Sequence, residues 1–186
     1  MSAPLTADEK RLLLRLARAA VVAGAGEAPL PAPGDFGDLT PALRETRGAF
    51  VTLRAGGHLR GCIGHIEGIR PLAETVLDNA LSAAFRDPRF APVAAEEVAN
   101  LQIEISALTP LRPVGSWRDI EVPRHGVLLA RGARRAVFLP QVAAEQGWDR
   151  DTLLDRLARK AGLPDDGWRR GAELYTFRAV IFGDAP

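Results

Sequence analysis

One cysteine, one arginine and the glycines Gly61 and Gly64 lie close together in the stretch HLRGCIGHIEG, residues 58–68. Cys62 is the only cysteine of the chain, and Arg60 precedes it by two residues. Under the two-residue alternation of a β-strand, both side chains lie on the same face. A guanidinium near a thiol stabilises the nucleophilic thiolate and can also bind an anionic substrate group. The spacing therefore predicts a site for thiol chemistry or anion binding.

Gly61 and Gly64 flank Cys62, and two interpretations of them stay open. The glycines can remove side chains so that a ligand reaches the thiol. They can equally mark a bulge in a strand whose cysteine is buried, because free cysteine is among the most buried residue types. His65 falls on the opposite strand face unless the strand bends, so we do not place it with Cys62.

Glu104 is the carboxylate that best complements this stretch. Residues 101–107, LQIEISA, alternate strictly between apolar and polar side chains, which predicts a strand with Glu104 on its polar face. A carboxylate there can act as a general base, pair with Arg60, or be solvated.

Arginines recur at further places with two interpretations each. The run RDPRF at 86–90 is either an anion site or an ordinary basic helix end. The basic turn at 131–135 either contacts phosphates or is solvated.

The elements that must position these side chains follow from hydrophobic periodicity and turn residues. Residues 6–24 form a helix that opens with a capping box at Thr6 and stops at Gly24, and 26–47 is a connection. Pro71 is expected as the first residue of a helix that ends near Asp87. The other expected elements are a hairpin (49–54 and 58–64), the strand 101–107, a second hairpin (126–130 and 136–139), two helices (141–147 and 151–161) and a long final strand (174–182).

Composition restricts the class of protein. The net charge of the 186 residues is +1, which gives no general attraction to nucleic acid or to an anionic membrane. A single cysteine forms no intrachain disulfide, and one Cys with three His makes no recognisable metal site, so we expect a reducing cytoplasm, no metal and no membrane. No GxGxxG or Walker sequence is present, and no cofactor is predicted. Hairpins and helices without regular alternation favour an α+β fold.

Several motifs occur in the order typical of one known family. They are LRGCIG at 59–64, RPLAETV at 70–76, AFRDPRF at 84–90, IEIS followed by LTP at 103–110, and LPQVAAEQGWDR at 139–150. Together they resemble the AMMECR domain, whose prokaryotic form is named AmmeMemoRadiSam system protein A. The similarity runs from about Ala7 to Phe182.

This resemblance implies one compact α+β domain over residues 1–186, with its body at 48–182. The implied domain has two unequal lobes, a mostly antiparallel sheet flanked by helices, and a cleft near the LRGCIG strand. Among the matching positions we assign catalytic roles to Cys62, Glu104 and Arg60. We assign ligand binding to Gly61, Gly64, Asn79, Arg86, Asp87, Arg89 and Gln141.

Three functions compete. The first is an enzyme or enzyme subunit in which Cys62 is nucleophile or acid, Glu104 a proton shuttle and Arg60 an anion binder. The resemblance implies a Memo-like protein and a radical-SAM protein as partners. It also implies a role in RNA or base modification, with RNA or a small molecule as the ligand. The second is a non-catalytic adaptor or substrate-binding module for those partners. The third is RNA binding through arginines, at positions 131, 134, 135, 169 and 170.

Overall fold

The computed structural model describes residues 4–26 and 28–184. Six residues lie outside the described part of the chain, namely 1–3, 27, 185 and 186. All six belong to the expected domain 1–186, and residue 27 also belongs to the expected connection 26–47. The helices are α1 (Ala7–Gly24), α2 (Pro41–Arg44), α3 (Leu72–Phe85), α4 (Pro140–Gln146) and α5 (Arg150–Lys160). The strands are β1 (Ala49–Ala55), β2 (His58–His65), β3 (Leu101–Leu108), β4 (Arg112–Pro113), β5 (Gly126–Arg131), β6 (Arg134–Phe138), β7 (Glu173–Phe177) and β8 (Ala179–Gly183).

The strands form two four-stranded sheets, and the chain divides into two compact units. The first unit takes the described residues of 1–110 and 180–186, and the second takes 111–179. One sheet has the order β2-β1-β3-β8 and the other the order β4-β7-β5-β6. Helices combined with antiparallel sheets confirm the α+β class predicted from the sequence.

The first unit is built on the β1–β2 hairpin. Gly56 and Gly57 make its two-residue turn with φ angles of +56° and +81°, a backbone region that glycine enters without steric cost. Alternate residues of β1 are fully buried, namely Ala49, Val51 and Leu53. This face of the sheet packs against α1 and α3 in one hydrophobic core, and the other face carries the polar side chains.

Helix α1 begins as the sequence predicted. The Thr6 hydroxyl accepts the Glu9 N–H, and the Glu9 carboxylate accepts the Thr6 N–H at 2.7 Å, which together make the capping box. Its apolar stripe, including Leu13 and Leu16, is fully buried. Helix α3 packs beside α1 and also contacts β2, the strand that carries Cys62.

The second unit has its own core. The amphipathic helix α5 contributes Leu153, Leu154 and Leu157, which pack with Val127 and Leu129 of β5. Trp168 is 2% exposed in the same cluster.

The structure corrects three details of the predicted elements. The expected strand 174–182 is two strands, β7 and β8, because the chain leaves one sheet at Arg178 and joins the other. The expected basic turn 131–135 is shorter, since Gly132 and Ala133 alone connect β5 to β6. Pro71 is the N-cap of α3, not its first residue.

Candidate functional site

Cys62, Thr52 and Glu104 form a row across three neighbouring strands. Thr52 of β1 is the direct cross-strand partner of Cys62 on β2 and of Glu104 on β3. Directly opposed residues of antiparallel strands project to the same face, so the three side chains share the polar face of the sheet. Cys62 and Glu104 are separated by two strand spacings, about 10 Å. Thr52 therefore lies between the thiol and the carboxylate that the sequence predicted as a pair.

The thiol of Cys62 has a hydrogen-bond donor. Thr52 Oγ1 donates to Cys62 Sγ at 3.3 Å. Cys62 is a free cysteine of intermediate burial, so the residue is only partly shielded from solvent. This hydrogen bond ties the side chain of Cys62 on β2 to that of Thr52 on β1.

The peptide groups of Cys62 face outward, because β2 is an edge strand of the sheet. Asp87 Oδ2 accepts the Cys62 N–H at 2.9 Å, and Arg89 donates to the Cys62 carbonyl oxygen at 3.2 Å. The same two residues form an ion pair of 2.7 Å with each other. We call Asp87 and Arg89 the edge clamp. They occupy the positions that another strand would use and fix the backbone at the thiol.

The electrostatics of the edge clamp are strong. The Asp87 side chain is only 2% exposed, and its hydrogen bond with Arg89 holds its pKa well below the ordinary range, while burial acts in the opposite sense. The pKa of Arg89 is raised, first by its hydrogen bond to Asp87 and also by attraction to the charge of a Cys62 thiolate. Arg89 is therefore a cation within electrostatic reach of the thiol.

Arg60 has a different partner from the one predicted. Its Nε and Nη2 bind the two carboxylate oxygens of Glu97 at 2.8 and 2.9 Å, and it also donates to the carbonyls of Ala91 and Pro92. The alternative in which Arg60 pairs with Glu104 is therefore wrong. The hydrogen bond from Arg60 lowers the pKa of Glu97 to about 2.

The reason is a β-bulge. In the β1–β2 register Leu53 faces Gly61 and Arg54 faces Leu59, so Arg60 has no cross-strand partner. An extra residue of this kind interrupts the alternation on which the shared face of Arg60 and Cys62 was predicted.

Protein atoms fill the space beside both glycines. A Cβ on Gly61 would lie 2.1 Å from the Ala83 carbonyl oxygen of α3. A Cβ on Gly64 would lie 2.4 Å from the Phe50 ring. The interpretation that these glycines open space for a ligand is therefore wrong. They allow a helix and an aromatic ring to approach the strand closely.

The other predicted ligand residues lie in several environments. Asn79 is 1% exposed and its Nδ2 donates to the Ala49 carbonyl at 3.0 Å, so it fastens α3 to β1. Arg86 is exposed at the C-terminal end of α3. Gln141 belongs to α4 in the second unit, and its buried Oε1 has no hydrogen-bond partner among the described residues.

Glu104 also lines a groove in the first unit. The groove has a volume of about 190 Å³, and Arg54, Gln102 and Asp184 line it as well. Asp184 accepts hydrogen bonds from Arg18 and from the Ile103 N–H, so it ties β8 to β3. Glu104 thus has solvent access on the side of the row away from Cys62.

The histidines stand apart from the thiol. His65 pairs with Ala49, a core-face position, so it lies on the face opposite to Cys62 as predicted. His125 lies in the second unit, where its Nδ1 accepts the Glu121 N–H at 3.1 Å.

Within residues 4–26 and 28–184, no group of three His, Cys, Asp or Glu side chains is arranged to hold a metal ion. No helix in that part of the chain is long and apolar enough to cross a membrane.

Sequence reasoning missed Thr52 and Glu97. The signal for Thr52 was available, because a two-residue turn at Gly56 and Gly57 sets it nearly opposite Cys62 in the hairpin. The exact pairing of Thr52 with Cys62 also depends on the bulge at Arg60, which shifts the register by one residue. Glu97 lies in a short 3-10 helix, Ala95–Asn100, and nothing in its local sequence indicates Arg60 as its partner.

A cluster of tryptophan and arginine side chains was also missed. A pocket of about 490 Å³ in the second unit, the Trp117 pocket, is lined by residues 113–118, 168, 169 and 172–175. Arg118 and Arg169 stack on its indole rings. Trp117 and Trp168 are 51 residues apart, so no local pattern brings them together.

The fold and the clamped cysteine define an α+β protein with a free thiol at a protected sheet edge. The AMMECR1 family model matches residues 14–182, and the chain belongs to the AMMECR1 family. This confirms the resemblance seen in the motifs. A protein of Methanothermobacter thermautotrophicus is 42% identical over 190 residues, covering 97% of this chain and 96% of the relative. A protein of Methanosarcina acetivorans is 40% identical over 184 residues, covering 96% of this chain and 92% of the relative.

The fold has a counterpart among solved structures. The uncharacterized protein PH0010 from Pyrococcus horikoshii is 38% identical to this chain. The two structures superimpose with a TM-score of 0.81 over 92% of this chain and 89% of the other. The similarity covers nearly the whole chain, so it includes both compact units.

Proposed function

We propose that this AMMECR1-family protein is a thiol-dependent enzyme, or the thiol-bearing subunit of one, with Cys62 as its nucleophile. The observation that carries the proposal is the hydrogen bond from Thr52 Oγ1 to Cys62 Sγ at 3.3 Å, on a strand whose edge is clamped. A nucleophile needs an activated form and a fixed position. Thr52 supports the first, and Asp87 with Arg89 supports the second.

The chemical step uses the thiolate sulfur. The Cys62 thiol loses its proton, the sulfur electron pair forms an S–C bond to an electrophilic substrate carbon, and the bond from that carbon to its leaving group breaks with its electrons on the leaving group. We assign Glu104 as the group that accepts the thiol proton. Because Glu104 lies two strands away from the sulfur and the Thr52 hydroxyl already donates to that sulfur, the proton reaches Glu104 through a substrate group. Arg60 is a positioning residue that fixes the segment containing Glu97.

The cellular setting belongs to the same proposal. A free Cys62 at a protected edge fits a reducing cytoplasm. The family resemblance supports a Memo-like protein and a radical-SAM protein as partners, and an RNA base or a small molecule as the substrate.

The test measures alkylation of Cys62 by iodoacetamide, followed by mass spectrometry of the intact protein. The chain has a single cysteine, so each adduct is assigned without ambiguity. We expect Thr52→Val to slow alkylation about fivefold near neutral pH, since one hydrogen bond contributes about 1 kcal/mol. Thr52→Ser, which keeps the hydroxyl, should stay close to wild type.

Thr176→Val is the matched control, because Thr176 is a half-buried strand threonine of β7 in the second unit. It should leave the alkylation rate unchanged. Equal rates for wild type and Thr52→Val, or a folded protein less reactive than the same chain in urea, would contradict the proposal. That result would favour the adaptor function, in which Cys62→Ser keeps binding the partners.

A further inference from the structure

The Trp117 pocket lies wholly in the second unit, whereas Cys62 belongs to the first. Its two walls come from chain segments that β4 and β7 bring together, with Pro113 paired to Tyr175. Its volume of about 490 Å³ falls within the usual range of small-molecule sites, about 300 to 1,000 Å³.

The floor of the pocket is rigid. Trp168 is 2% exposed, and its Nε1–H donates to Asp155 at 2.6 Å. The Trp117 ring meets the Trp168 ring edge to face, with centroids 5.2 Å apart and planes at 72°. Trp117 itself is half-buried, so part of its ring faces the pocket.

Two arginines line the same pocket with their planar groups held on the indoles. Arg118 lies 4.5 Å from the centroid of Trp117, and Arg169 lies 4.0 Å from that of Trp168. Stacking on the indole restricts the orientation of each guanidinium group. Because both arginines are exposed, their N–H groups stay available to a ligand.

The charge of the lining favours an anion. Arg118 forms no ion pair with a carboxylate among the described residues. Arg169 reaches Asp151 at 3.3 Å and its side chain stays 45% exposed. The single lining acid, Glu173, accepts the Tyr175 hydroxyl at 3.0 Å. A third guanidinium, that of Arg150, lies 4.9 Å from the Trp117 centroid.

We propose that the Trp117 pocket binds a nucleotide unit. The base stacks on the guanidinium planes that the indole rings order, and the phosphate accepts hydrogen bonds from the N–H groups of Arg118 and Arg169. Aromatic and guanidinium planes are the surfaces on which proteins stack single bases, and arginine is the preferred donor to phosphate. The nucleotide is free or belongs to a single-stranded RNA, and the two sources share this chemistry.

Calorimetry with the full chain tests the proposal, using uridine and adenosine monophosphates, ribose 5-phosphate and a short oligouridylate as probes. We expect saturable binding of a monophosphate or of the oligonucleotide, and weaker binding of ribose 5-phosphate, which lacks the base. Arg118→Gln and Arg169→Gln should each weaken binding about tenfold, the loss of one charged hydrogen bond. Preference for the oligonucleotide over both monophosphates identifies RNA as the source, and equal affinity identifies the free nucleotide.

Arg124→Gln is the matched control, an arginine of the same unit that pairs with Glu121 outside the pocket lining. It should bind like wild type, as should Cys62→Ser, so this result is independent of the thiol proposal. Absence of binding by every probe, equal binding of ribose 5-phosphate, or an equal loss in Arg124→Gln overturns the proposal.

Discussion

The carboxylate of Asp87 accepts the backbone N–H of Cys62 at 2.9 Å, on the open edge of the sheet. This relationship joins the two most recognisable motifs of the sequence, LRGCIG and RDPRF, through main-chain atoms of the cysteine. The RDPRF run therefore acts as a protein-made edge for β2, and its conformation determines how rigidly the thiol is held.

Asp87→Asn should destabilise the protein by about 2 to 3 kcal/mol, because it removes charged hydrogen bonds to a buried group. Arg89 is 54% exposed and can be hydrated, which limits the loss. Urea unfolding measures the change. Arg86→Ala, at the exposed neighbouring position, should shift the free energy of unfolding by no more than about 0.5 kcal/mol. Similar losses in both variants would show that the clamp contributes nothing specific.

Stability should fall with acid through Glu97. Its pKa in the folded protein, about 2, lies below its ordinary value of 4.5 because of Arg60. The unfolded chain therefore binds a proton more readily, and stability present above pH 4.5 is lost as the pH falls towards 2. Asp87, whose pKa is also lowered, adds to the loss in the same direction.

Glu97→Gln isolates this contribution. It should be less stable than wild type near neutral pH, and the difference should shrink in acid, where the wild-type carboxylate is itself protonated. Thermal or urea unfolding along a pH series measures the difference. Glu96→Gln at the exposed adjacent position is the control and should show little difference at any pH. A difference for Glu97→Gln that is constant with pH would exclude the ion pair as its cause.

Gly61→Ala should destabilise the protein by about 1 to 3 kcal/mol or more through overpacking. The new methyl would meet the Ala83 carbonyl oxygen at 2.1 Å, and a helix backbone moves little. Gly34→Ala, where no atom lies within 4 Å of the added Cβ, should be tolerated. Equal stabilities in denaturant would show that α3 shifts freely on the sheet.

Asn79→Ala should cost about 1 to 3 kcal/mol, because the buried Ala49 carbonyl loses its side-chain donor. Asn100→Ala, at an exposed position, is the control. Urea midpoints for the two variants check the prediction. If Asn79→Ala left the free energy of unfolding unchanged, Asn79 would have no structural role. The ligand-binding role that the family resemblance implies would then be favoured.

The local elements could be predicted from sequence because their signals are local. The capping box at Thr6, the glycine turn at 56–57 and the alternation of 101–107 each indicated the element that the structure contains. The partners of Arg60 could not be predicted in the same way. The bulge depends on the register of two strands, and Glu97 approaches from 37 residues away. The second aromatic ring of the Trp117 pocket is likewise determined by tertiary packing.

The break between β7 and β8 has a consequence for dissecting the protein. The chain leaves the first unit at residue 110, builds the second, and returns at 180 to add β8 beside β3. In the order of the chain the second unit is an insertion, so a truncation after residue 110 removes the fourth strand of the cysteine-bearing sheet. It also removes Asp184, the partner of Arg18. Such a fragment presents β3 as a bare edge open to association, whereas a circularly permuted or internally deleted chain would retain that strand.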